Sequence, residues 1–148
     1  MQTQQTEYVH VACAGCATEN RVAAGRLGDS PKCGKCGAGL LPGKPVELTE
    51  ATYDTLIART GLPVIVDFWA AWCGPCRAMA PQFEAAAREL QGRVLFAKVD
   101  TEAAQGVAAR AGIRAIPTLA LFRDGREVAR NSGVMDARSL VNWIDKQA

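Results

Sequence analysis

From residue 46 onward, apolar residues alternate between short unbroken runs and sets spaced three and four apart; the first 45 residues hold few large apolar residues. Val64-Ile-Val-Asp-Phe-Trp69 and Val94-Leu-Phe-Ala-Lys-Val99 are short β-rich runs, as central strands require. Val46 to Leu48 counts as a short first strand. Tyr53, Leu56, Ile57 and Thr60 share one face of a helix for which Thr49 is the expected N-cap. A second helix opens near Cys73 and carries Met79, Phe83, Ala86, Ala87 and Leu90 at helical spacing, with a kink expected at Pro81. Glu102 to Ala111 reads as a crossover helix. Thr118–Phe122 and Glu127–Asn131 flank Arg123-Asp-Gly-Arg126, a hairpin turn. Asp136 is placed to cap a last helix that buries Ala137, Leu140, Val141 and Ile144. The order β-α-β-α-β-α-β-β-α predicts an α/β fold: one mixed sheet, parallel and then closed by an antiparallel hairpin, with helices on both faces.

The break near residue 45 predicts two parts, residues 1–45 and residues 46–148. The first part holds four cysteines and few large apolar residues (Tyr8, Val9, Val11, Val22, Leu27, Leu40, Leu41), too few for a core of its own, so a metal or covalent staple is expected. Gly39-Leu-Leu-Pro-Gly-Lys-Pro45 reads as its exit. Overall, 49% hydrophobic and 22% charged residues describe a globular chain. A formal charge of +2 points to neither nucleic acid nor an acidic membrane as partner. Met1 to Ala12 lacks the cationic start and apolar run of a signal peptide, and no run has membrane-spanning length. A cytoplasmic protein is therefore expected.

That compartment changes the meaning of the six cysteines, which form three CxxC pairs. In a reducing environment such pairs point to metal or redox chemistry rather than to structural disulfides. Cys13-x2-Cys16-x16-Cys33-x2-Cys36 has the spacing of a four-cysteine zinc ribbon, in which the two knuckles complete an all-sulfur tetrahedron. Structural disulfides and a labile, redox-released metal are the alternatives. Four protein ligands leave no open position, so one structural Zn2+ is expected, with no organic cofactor on this chain.

Cys73-Gly-Pro-Cys76 follows a buried strand and opens a helix. Two cysteines three apart on a helical turn reach disulfide geometry with small adjustments. Cys73, accessible at the helix N-terminus, meets unpaired N–H groups and the positive end of the macrodipole, which favour a thiolate. It is the expected nucleophile, with Cys76 one turn deeper to resolve the mixed disulfide. Pro75 suits the first turn, where its missing N–H costs nothing. The bland reading of such a pair is half a zinc site. Asp67 interrupts the most apolar strand; either its pKa is raised or that face meets solvent, and the residues alone favour solvent. Lys98 reads equally as a solvated strand lysine, and Pro117 as an ordinary turn proline.

Val66-Asp-Phe-Trp-Ala-Ala-Trp-Cys-Gly-Pro-Cys76 with Ala80-Pro81, Ile113-Arg-Ala-Ile-Pro-Thr118, Phe122-Arg-Asp-Gly125 and Gly133 resembles the thioredoxin family over about residues 47–147. With four cysteines in front, the chain resembles the thioredoxin 2 type of that family, which bears a zinc ribbon. The resemblance implies a thioredoxin fold and a protein-disulfide reductase, a thiol–disulfide oxidoreductase. It implies that Asp67 is buried behind the dithiol and relays the Cys76 proton, with Lys98 as its partner. It further implies that Pro117 is cis and faces the dithiol, that the Ile116 backbone pairs with substrate, and that Trp72, Gly74 and Gly133 form the docking rim. Trp69 is expected to pack in the core and His10 to sit at the surface. The implied partners are an NADPH-dependent thioredoxin reductase and disulfide-bearing client proteins, with no nucleic acid and no membrane, and a monomer is expected. A zinc-dependent adaptor that uses the domain only as a binding platform is the rival reading.

Overall fold

The computed structural model describes residues 7–147, so the first half of the segment read for a signal peptide lies outside the described residues. Strands β1 (Tyr8–Ala12) and β2 (Glu19–Ala23) pair antiparallel as a hairpin that the sparse apolar pattern did not predict. A 3-10 turn over Ala24–Arg26 follows. The remainder runs β3 (Val46–Leu48), α1 (Tyr53–Arg59), β4 (Val64–Trp69), α2 (Gly74–Glu89), β5 (Leu95–Asp100), α3 (Gln105–Arg110), β6 (Thr118–Arg123), β7 (Arg126–Ser132) and α4 (Ala137–Lys146). The five-stranded sheet has the order β3-β5-β4-β6-β7. Both β3 and β4 run parallel to β5, whereas β6 is antiparallel to β4 and to β7. This is the expected thioredoxin fold.

Side chains alternate across the sheet, and each face has its own cover. Ile65, Phe96, Leu119 and Leu121 pack with Met79 and Phe83 of α2 and with Leu140 and Ile144 of α4. Val66, Phe68, Ala97, Val99 and Ala120 pack with Leu56 and Ile57 of α1 and Val107 of α3. With both faces covered, β4 needs an apolar residue at nearly every position, and Asp67 stands out for that reason.

Two helix starts differ from expectation. Thr49 does not cap α1 directly: its backbone N–H donates to Thr52 Oγ1 at 3.0 Å, and residues 50–52 form a turn before the helix begins. The crossover helix begins at Gln105 rather than Glu102 because the Asp100 carboxylate accepts the N–H groups of Glu102 and Ala103, which holds them in a turn. Glu50 then supplies an acceptor to α3 from outside, taking the Val107 N–H at 2.9 Å. Pro81 lies within α2, whose helical run continues through it. The hairpin turn holds Asp124 at φ 51° and Gly125 at φ 79°, as a two-residue turn with positive φ at both positions requires.

The N-terminal part is seated on the α1/α3 side of the sheet. Val11, Ala12, Cys13, Cys33, Leu40 and Leu41 belong to one buried cluster with Leu48, Tyr53, Leu56 and Ile57. Ala12 N–H donates to Thr60 Oγ1 at 3.2 Å, and Gly61 N–H to the His10 carbonyl at 2.7 Å. At Gly92, with φ +81°, a Cβ would lie 3.1 Å from the Gly28 nitrogen, so only glycine permits that approach. The few apolar residues of this part therefore complete a shared core.

Candidate functional site

The dithiol stands where β4 ends and α2 begins. Cys73 is the N-cap residue of α2, with extended backbone, and its Sγ accepts the Cys76 N–H at 3.2 Å. A cap position leaves N–H groups without intrahelical partners, and here one of them points at sulfur. Cys73 and Cys76 are joined as a disulfide with Cα atoms 5.2 Å apart. The sulfur of Cys73 is less open than expected: the residue is 4% exposed, because Ala70, Trp69 and Ile116 pack around the pair. Gly74 and Pro75 are exposed on the outer side of the turn.

The loop before β6 meets the dithiol, and further tethers brace its surroundings. The Ile116–Pro117 bond is cis, and the Ile116 carbonyl oxygen lies 3.8 Å from Cys73 Sγ. Gly133 N–H donates to the Pro117 carbonyl at 2.9 Å, tying the end of β7 to the same loop. Trp72 is 68% exposed, and its Nε1–H donates to Glu102 Oε1 at 2.7 Å. Arg77 donates to the Ala71 carbonyl at 2.8 Å on the same rim. Glu102 and Arg77 escaped sequence reasoning, since a surface acid and a helix arginine carry no signal until the chain folds around them.

Asp67 is 0% exposed, which overturns the solvent-facing position that the residues alone favoured. The helices α2 and α4 cover its face of the sheet, and neither carboxylate oxygen has a hydrogen-bond partner. Burial pushes the carboxyl up to about 7, with Lys98 pulling it down and Glu47 pushing it further up. Lys98 is Asp67's register partner on β5, yet its Nζ sits 4.5 Å from the centre of the Trp69 ring rather than in an ion pair with the carboxylate. Trp69 is half-buried and packs against the dithiol, not in the main core.

Cys13, Cys16, Cys33 and Cys36 converge, with all four sulfurs within 4.8 Å of one another. Two sulfur pairs, Cys13/Cys36 and Cys16/Cys33, stand 3.6 Å apart. A zinc–sulfur tetrahedron with arms of 2.3 Å has edges of about 3.8 Å, so the donor set fits that ion. Gly15 N–H donates to Cys13 Sγ at 3.3 Å and Lys35 N–H to Cys33 Sγ at 3.4 Å, one knuckle bond in each half. Asn20 joins the halves: its Nδ2 donates to the Thr18 carbonyl and its Oδ1 accepts the Gly34 N–H at 2.9 Å. This residue also went unread, because its partners lie on separate loops. His10 is exposed, with Nδ1 3.4 Å from Glu19 Oε2, and is not among the four converging groups.

A redox-competent pair at a helix N-terminus, on a mixed sheet that ends in a hairpin, defines a thiol–disulfide oxidoreductase. The Thioredoxin family matches residues 44–146, and the family described as Thioredoxin 2, N-terminal, matches residues 12–38. Thioredoxin C-3 of Corynebacterium nephridii is 44% identical over 93% of this chain and 94% of its own length. Thioredoxin 1 of Synechococcus elongatus is 41% identical over 67% of this chain and 92% of its own, and a thioredoxin of Haemophilus influenzae is 34% identical over 68% and 94%. The chain belongs to the thioredoxin family.

Proposed function

We propose that the chain reduces client disulfides by the following exchange. Cys73 thiolate attacks one sulfur of the client disulfide, forming a mixed disulfide and releasing a client thiolate that takes up a proton. Cys76, deprotonated, then attacks Cys73 Sγ and expels the second client thiolate, leaving the Cys73–Cys76 disulfide. The carrying observation is the Cys76 N–H aimed at Cys73 Sγ across the first turn of α2. That donor and the helix end stabilise negative charge on the outer sulfur, whether as attacking thiolate or as leaving group.

The buried thiol of Cys76 needs a proton acceptor, and Asp67 is the candidate. Its carboxyl, raised to about 7, is half protonated near neutral pH, where an acceptor works best. Ile116 and Pro117, with Gly133 tied to them, supply main chain beside the sulfur, which suits pairing with an extended client segment regardless of its side chains. Trp72, steadied by Glu102, and Gly74 form the apolar rim. Lys98 tunes Asp67 by its charge. A single structural zinc ion held by Cys13, Cys16, Cys33 and Cys36 would lock the ribbon and take no part in the exchange, since four protein ligands close its shell. An NADPH-dependent thioredoxin reductase restores the dithiol, which makes the chain an electron carrier of the cytoplasm. Residues 1–45 act as the ribbon and residues 46–148 as the catalytic domain.

Insulin-disulfide reduction tests this reading. Wild type should turn over, Cys73→Ser should lose at least about 10³-fold, and Cys76→Ser should accumulate a mixed disulfide with a client cysteine. Equal inactivity of wild type and Cys73→Ser, with client binding retained, would establish the adaptor reading instead.

A further inference from the structure

Three charged side chains stand in one row across the sheet: Glu47 of β3, Lys98 of β5 and Asp67 of β4 are successive register partners. Partners on neighbouring strands project to the same face, so one lysine stands between two acidic residues, each about one strand spacing away in the register. The row runs inward, from exposed Glu47 through half-buried Lys98 to fully buried Asp67. Lys98 Nζ rests over the Trp69 ring and leaves Asp67 without a hydrogen-bonded partner.

We propose that Glu47 is a positioning residue for the dithiol reaction: from the edge strand it competes with Asp67 for the Lys98 ammonium and so sets how readily Asp67 takes the Cys76 proton. The proposal rests on the reading of Asp67 as that acceptor. The other elements around Asp67 offer little to compete with this pair. Across β6 its register partner is Leu119, α2 packs Met79 and Phe83 on that face with Cys76 as its titratable group, and α4 contributes Leu140 and Ile144. Asp100 ends β5 beside Trp69.

Both routes from Glu47 to Asp67 have the same sign. Its own charge repels the second carboxylate and raises that carboxyl, and its attraction for Lys98 dilutes the cation that would lower it. Removing the charge must therefore lower the pKa of Asp67. Two strand spacings are about 10 Å, at which one charge moves a carboxyl by roughly 0.3 unit with water-like screening and about 1 unit at an effective dielectric of 20.

The experiment titrates the Asp67 carboxyl carbon by NMR in the oxidised full-length chain and follows the pH profile of the Cys76 step in the reduced one. Glu47→Gln should lower the Asp67 pKa by about 0.3 to 1 unit and move the acid limb of the profile to lower pH by the same amount. Lys98→Met should move both the other way, and Asp124→Asn, a charge removed at the distant hairpin turn, should move neither. An unmoved or raised Asp67 resonance in Glu47→Gln, with an altered profile in Asp67→Asn, overturns the Glu47 assignment alone. A Cys76 profile unchanged in Asp67→Asn overturns the acceptor reading, and the proposal falls with it.

Discussion

A carboxyl with no exposed surface and no hydrogen-bonded partner costs folding energy whenever it is ionised, and Asp67 is such a group. Its folded pKa, about 7, lies above the ordinary 3.8. Between those values the folded protein binds the proton and the unfolded chain does not, so stability falls as pH rises from about 4 and levels off above about 7. A shift of that size corresponds to a loss on the order of 4 kcal/mol. Asp67→Asn cannot ionise, so urea unfolding between pH 4 and 8 should show a flatter pH dependence than wild type. Equal slopes for the two proteins would refute the buried, raised carboxyl. The second expectation concerns function: Asp67→Asn should slow release of the mixed disulfide by tenfold or more near neutral pH while sparing the Cys73 attack, as stopped-flow fluorescence would resolve. In the proposed role, stability and catalysis are opposed at this residue.

At the scale of elements, periodicity was a good guide where one face of a helix or both faces of a strand are buried, and a poor guide at ends. The spacing of Met79, Phe83, Ala86, Ala87 and Leu90 located α2, and all five are buried. The start of α3 was misread by three residues because Asp100, a strand-end residue, captures two N–H groups in a turn. No local pattern announces that Glu50, more than 50 positions earlier, supplies the acceptor to Val107 and also bridges to Arg110 at 3.7 Å. Such a charge-assisted bond at a helix start is worth about 1 kcal/mol, and Glu50→Ala should cost that much. Chemical denaturation would measure it, and hydrogen exchange should find the loss concentrated at Val107 and Ala108. The dithiol and the four ligand-type cysteines were legible because their chemistry depends on short spacing. The tethers of the site, Glu102 to Trp72 and Asn20 across the two knuckles, were not, because each joins loops that only the fold brings together.

Across the whole molecule, the seam at residue 45 is one of composition and not of packing. Counted alone, the N-terminal part has too little apolar surface to bury. Counted with α1, it closes a cluster in which Val11, Cys13, Cys33 and Leu40 stand with Tyr53, Leu56 and Ile57. That complementarity was invisible beforehand, since the same residues of α1 read simply as a core-facing helix stripe. Two of the four sulfurs, those of Cys13 and Cys33, thus belong to buried residues of the same cluster as the α1 side chains. Without a cation, thiolates 3.6 Å apart repel, and they must take up protons or separate. Separation would pull Ala12 away from Thr60 and loosen the cluster that Val11 shares with β4, the strand leading to Cys73. Chelating zinc from the metal-loaded chain should therefore lower the melting temperature of the entire chain by about 2–8 °C, as a loss of 1–2 kcal/mol does in a chain of this size. Zinc release, far-UV ellipticity and tryptophan fluorescence should change in one shared transition. An early release of metal followed by melting of the Trp69 and Trp72 environment at the original temperature would mean that the two parts are merely tethered.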